Sequence, residues 1–70
     1  MINKKLIDIN SKYYVKITYH DGDDVRRLYM LIDKKTDATI YESFNRDAFL
    51  LKANKYVKIT NKMECLIASI

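Results

Sequence analysis

The stretch "YYVKITYHDGDDVRRLYMLID", residues 13–33, decides the fold. From Tyr13 to His20 the residues alternate. Tyr13, Val15, Ile17 and Tyr19 fall on one side of an extended chain, and Tyr14, Lys16, Thr18 and His20 on the other. Val25 to Lys34 alternates too, with Leu28, Met30 and Ile32 as the apolar set and Arg27 and Tyr29 opposite. Between the two runs lies "DGDD", Asp21 to Asp24. Asp-Gly is a strong hairpin signal, because Gly22 can take positive φ without steric cost.

Two turn lengths give the same faces. A turn over Asp21-Gly22 pairs Val15 with Leu28 and Lys16 with Arg27. A turn over Asp21 to Asp24 pairs Ile17 with Leu28 and Lys16 with Tyr29. The two registers differ by two residues, so neither moves a side chain across the sheet, whereas an odd shift would. Either way, Tyr14, Lys16, Arg27 and Tyr29 are expected on one outer face.

"DKKTD", Asp33 to Asp37, reads as a turn, and Ala38 to Phe44 as a third strand. A five-residue loop would pair Met30 with Ile40 and align Tyr29 with Tyr41, extending the outer row to Tyr14, Tyr29 and Tyr41. From Ser43 to Lys55 there is no Val, Ile, Thr or Tyr, and Ala, Leu, Lys and Arg dominate. That change predicts a helix within Asn45–Asn54. Asn45 is its cap, Asp47 lies in its first turn and Lys52 in its last, and Asn54 ends it in the left-handed region. Ala48, Phe49, Leu51 and Ala53 would form most of its buried stripe. Tyr56 to Thr60 alternates again and Met63 to Ile70 is nearly all apolar, so two further strands are expected. Ile2 to Asn10 fits a short helix slightly better than a strand. The expected architecture is α+β, a curved antiparallel sheet or small open barrel. Its order is three strands, helix, two strands, with the one helix packed on the sheet, in a single domain 1–70.

Composition narrows the function. A chain of 70 residues buries only about 60% of the surface its unfolded form exposes. Cys65 is the sole cysteine and His20 the sole histidine, so neither an intramolecular disulfide nor a structural zinc is expected within one chain. Yet 49% of the residues are hydrophobic, which suggests apolar surface spent on a homodimer or a partner. No run has the length of a signal sequence or a membrane span, and one cysteine suits a reducing compartment, so the expectation is cytoplasmic with no membrane contact. The richness in Lys, Ile, Asn and Tyr, with their AT-rich codons, suggests a low-GC bacterium or its phage. The net charge of +4 permits nucleic acid or an acidic protein and demands neither.

The candidate binding residues are Tyr14, Lys16, Arg27, Tyr29 and Tyr41. Sheet aromatics can stack bases while Lys and Arg hold phosphates. Cross-strand tyrosines also stabilise a sheet by themselves, and the terminal strands could cover this face. "DGDD" is shorter than a calcium loop and lacks its closing Glu. His20 beside Asp21 has no Ser or Cys nucleophile near it in the hairpin, and Cys65 in "MECLIAS" reads as a core filler. No phosphate loop or metal-ligand spacing occurs. No catalytic residue, metal site or cofactor is expected, and an enzyme is not.

Two segments resemble known families. "YYVKITYHDGDDVRR" followed by "SFNRDAFLLKAN" resembles the amino-terminal arm-binding domain of tyrosine recombinases, over Lys12 to Asn54. That resemblance implies three strands and a helix, with the sheet laid in the DNA major groove. Here the third strand, "ATIYESF", has a Glu and no Lys or Arg. "ESFNRDAFLLK" is similar to the "ESFDQ…LLK" segment of bacterial Sm-like RNA chaperones, which implies strand rather than helix there. "KITNKME" lacks that family's second RNA-binding motif. The residues themselves favour a small non-enzymatic binding module acting by stoichiometric protein–protein contact. One form of it is a phage-type inhibitor of a host enzyme or defence system. The alternative is a nucleic-acid-binding domain using the basic and aromatic sheet face.

Overall fold

The computed structural model describes residues 2–20 and 26–69. The elements run β1 (Ile2–Asp8), β2 (Tyr13–His20), β3 (Arg27–Asp33), β4 (Thr39–Ser43), α1 (Arg46–Ala53) and α2 (Asn61–Ala68). The strands form one antiparallel sheet in the order β1-β2-β3-β4. The α+β class and the antiparallel sheet agree with expectation, but the order is four strands and then two helices.

The β1–β2 connection is built by Asn10. Its Oδ1 accepts from the amides of Lys12 at 2.8 Å and Tyr13 at 2.9 Å, closing a tight turn. The first element is a strand and not a short helix. Ile7 and Ile9 enter the core at a spacing of two, and pairing with β2 supplies the backbone partners that a lone short helix would lack. The β3–β4 turn is the "DKKTD" expected. Asp33 Oδ1 accepts from Lys35 N at 2.8 Å, and Asp37 sits in the left-handed region at φ 62°, a conformation that Asp tolerates better than most residues. The Asp21–Asp24 turn lies outside the described residues, although the strands flanking it pair antiparallel as expected.

Helix α1 begins where sequence placed it. Asn45 caps it by accepting from Ala48 N at 2.9 Å. Asn54 ends it but stays right-handed (φ −62°), and its side chain accepts from Ile59 N at 2.9 Å. The buried stripe is Phe49, Leu50 and Ala53, while Ala48 is exposed and Leu51 is 72% exposed. Helix α2 replaces the expected carboxy-terminal strands. Thr60 caps it through Met63 N at 3.3 Å, Glu64 stands in its first turn, and Met63 and Ile67 lie one turn apart on the core side. Cys65 falls off that stripe and is exposed, so it is no core filler. Val57 and Ile59 do turn inward with Lys58 outward, but their segment joins no ladder and simply links the helices.

Both helices pack on one face of the sheet, α1 over β3 and β4 and α2 against β1. Val15, Ile17, Leu31, Phe49, Ala53 and Ile67 are completely buried between the layers. Phe49 lies against two tyrosines, Tyr29 at 5.8 Å and Tyr41 at 6.2 Å between ring centroids.

Candidate protein-binding surface

The site follows from the register. Lys16 pairs with Met30, and Val15 with Leu31. This differs by one residue from the register that paired Lys16 with Tyr29, and an odd shift exchanges the faces of β3. The face placement expected from sequence is therefore corrected. Tyr14 and Lys16 lie on the face opposite the helices, whereas Arg27, Tyr29 and Tyr41 lie on the helix side. Tyr29 is 5% exposed against Phe49. Tyr41 stacks on the same ring, with Lys52 Nζ 5.9 Å from its centroid. The Arg27 guanidinium lies 6.0 Å from the Tyr19 ring. Tyr29 and Tyr41 do share a face, as expected, but it is the core face. The cause is the run Leu28–Ile32, apolar on both sides, which lets the helix layer choose the register.

The face away from the helices is a small grid. One row across the sheet reads Leu6, Lys16, Met30, Glu42, and the next reads Asp8, Tyr14, Ile32, Thr39. Lys4, Thr18 and Leu28 form a third row, and Ile40 is the extra residue where the β3–β4 register shifts. Just past β4, the Phe44 ring lies 5.9 Å from the Arg26 guanidinium. Among the described residues no helix or strand covers this face.

Side chains roof part of it instead. The Tyr14 hydroxyl donates to Asp37 Oδ1 at 2.8 Å, reaching across β3 at Ile32. Lys34, just past β3, makes an ion pair with Asp8 and so reaches across β2 to β1. Ile32 is only 3% exposed beneath that cover, and Met30, between Lys16 and Glu42, only 8%. The hydrogen bond to Asp37, then burial, then the carboxylate's charge raise the Tyr14 phenol pKa above its ordinary value of 10.0. The rest of the face stays open, with Leu6 56% exposed and Phe44 62% exposed.

In comparisons with protein families, curated proteins and solved structures, the chain matches none. The residue roles here therefore rest on geometry. The helix at Arg46–Ala53 departs from the strand that the Sm-like resemblance implied. The sequence of β2, β3, β4 and α1 does follow the three-strands-then-helix order of the recombinase arm-binding resemblance, with a strand added in front.

Among the described residues no group of three or more His, Cys, Asp or Glu could hold a metal ion, and no helix is long and apolar enough to cross a membrane. The "DGDD" turn and the His20 side chain lie outside the described residues. What the face offers is apolar contact from Leu6 and the half-buried Leu28, with the exposed Phe44 just past β4, interspersed with charges of both signs. Sequence reasoning missed these three and also Met30, Ile32 and Glu42. The available signal was Leu31, which shares a side with Tyr29 and left β3 with more apolar residues than one face could hold.

Proposed function

We propose that this domain acts by stoichiometric protein–protein contact through the uncovered face of its sheet. The observation that carries this reading is the exposure of Leu6, on edge strand β1, and of Phe44, just past edge strand β4, with Lys4, Lys16, Arg26, Asp8, Asp37 and Glu42 distributed among and beside them. Exposed apolar side chains interspersed with charges of both signs suit a protein partner. Inhibition of a host enzyme or defence system, in the manner of phage proteins, is one use of such contact that requires no catalytic group in this chain.

Nucleic acid fits the face less well. Its one accessible-side tyrosine, Tyr14, is tied to a carboxylate, and Asp8, Asp37 and Glu42 would all lie near phosphates. The deciding experiment is affinity capture from nuclease-treated lysate with the wild type and with Leu6→Glu/Phe44→Glu. A partner protein that survives nuclease and is lost with the double variant supports the proposal. Capture that disappears on nuclease treatment, or that the double variant leaves unchanged, overturns it. Both side chains are exposed, so the variant should unfold within about 0.5 kcal/mol of the wild type.

A further inference from the structure

We infer that the protein this face fits is a second copy of the same chain, in a face-to-face dimer whose two-fold axis runs along β3. The inference rests on the protein-contact reading above and deepens it.

The argument is charge complementarity within one row. Met30 stands in the central row with Lys16 beside it on β2 and Glu42 beside it on β4. Neighbouring strands lie about 4.8 Å apart, so a cation and an anion flank Met30 at matched offsets to either side. A two-fold axis parallel to β3, in the plane between two stacked sheets, exchanges left and right while keeping each row. It sets Lys16 of one copy opposite Glu42 of the other, and does so twice. Leu28 then lies along the axis with the small part of Met30 that is exposed, Ile32 stays beneath the Tyr14–Asp37 bond, and Tyr14 faces Thr39. A two-fold axis perpendicular to the strands would instead stack Lys16 on Lys16 and Glu42 on Glu42. The charges thus select one symmetric arrangement and disfavour the other. Aligned sheets pack at about 30° and about 10 Å, which brings a Lys and a Glu side chain near the centre within reach of each other. An interface of this kind is isologous and closes on itself at two copies.

The test is a charge swap followed by sedimentation across a dilution series. The wild type should dimerise. Lys16→Glu alone and Glu42→Lys alone should each weaken the dimer at least about tenfold, because each sets like charges face to face. Lys16→Glu combined with Glu42→Lys rebuilds two opposite-charge pairs and should restore most of the lost affinity. Thermal melts of all three variants establish that they fold. A second readout needs no substitution. With labelled methionine methyl groups, dilution should shift the Met30 resonance and leave that of Met63, on the helix side, in place. A wild type that stays monomeric overturns the inference, as does a dimer insensitive to the single reversals or one that the swap fails to restore. None of these failures touches capture of a different protein by Leu6 and Phe44, which is measured separately.

Discussion

The Tyr14 hydroxyl and the Asp37 carboxylate meet at 2.8 Å across the β3 strand, so the sheet partly roofs its own uncovered face. The left-handed backbone of Asp37 brings the chain into β4 and leaves that carboxylate in reach. Since the phenol's pKa is raised in the folded state, the bond's contribution to stability is complete below pH 10.0. It is lost as pH rises through the folded value. Tyr14→Phe removes this dependence. Thermal midpoints measured from pH 8 to 11 should fall more steeply above pH 10 in the wild type than in Tyr14→Phe. Parallel curves would show that the bond does not persist in solution.

The antiparallel pairing of β2 with β3 and the first helix were legible because local rules specify them. Tyr13 to His20 alternate cleanly, and Asn45 and Asn54 mark both ends of α1. The face of β3 was not legible, because Leu28 to Ile32 are apolar on both sides and the tie is broken by packing beneath the helices, where Tyr29 and Leu31 are buried in one cluster with Phe49. The carboxy-terminal helix was hidden for a related reason. Met63 to Ile67 carry apolar residues on two sides, and the deciding signal was the small one at Thr60 and Glu64.

Tyr29 is structural, as its contact with Phe49 requires. Phe49→Ala should cost about 3–5 kcal/mol, comparable to the whole net stability that a core of this size supplies. Tyr29→Ala should cost about 3 kcal/mol by the same mechanism. Urea denaturation of both variants checks this, and a fully stable Tyr29→Ala would mean that Tyr29 faces solvent.

The two helix caps make a graded pair. Asn45→Ala should destabilise by about 1 kcal/mol, since it leaves an amide at the start of α1 without its acceptor. Thr60→Ala should cost less than that, because its bond to Met63 N is longer at 3.3 Å. Equal losses in chemical denaturation, or a larger loss at Thr60, would contradict the geometry.

Cys65 stands on the outer side of α2, so its thiol should be modified by an aromatic disulfide reagent in the native protein at close to the unfolded rate. Cys65→Ser should change stability by no more than about 0.5 kcal/mol. Modification that waits on unfolding would place the thiol in the core, as a strand at Met63 to Ile70 would have done.

The register of β3 can be tested by truncating one leucine at a time. Leu31 pairs with Val15 and Tyr41 and is fully buried beneath the helices, while Leu28 pairs with Thr18 and is half-buried on the uncovered face. Leu31→Ala should therefore cost about 2–5 kcal/mol, the range for emptying a packed leucine site. Leu28→Ala should cost clearly less, because solvent and neighbouring side chains can fill the space it leaves. Had Lys16 stood opposite Tyr29, these leucines would have exchanged faces, and the order of the two losses would be reversed. Equilibrium unfolding of both variants in urea, with slopes compared to exclude changes in the unfolded state, reads the order directly. Loss at Leu28 exceeding that at Leu31 would return Tyr29 and Arg27 to the uncovered face and would remove Met30, with its flanking Lys16 and Glu42, from the centre of the proposed dimer.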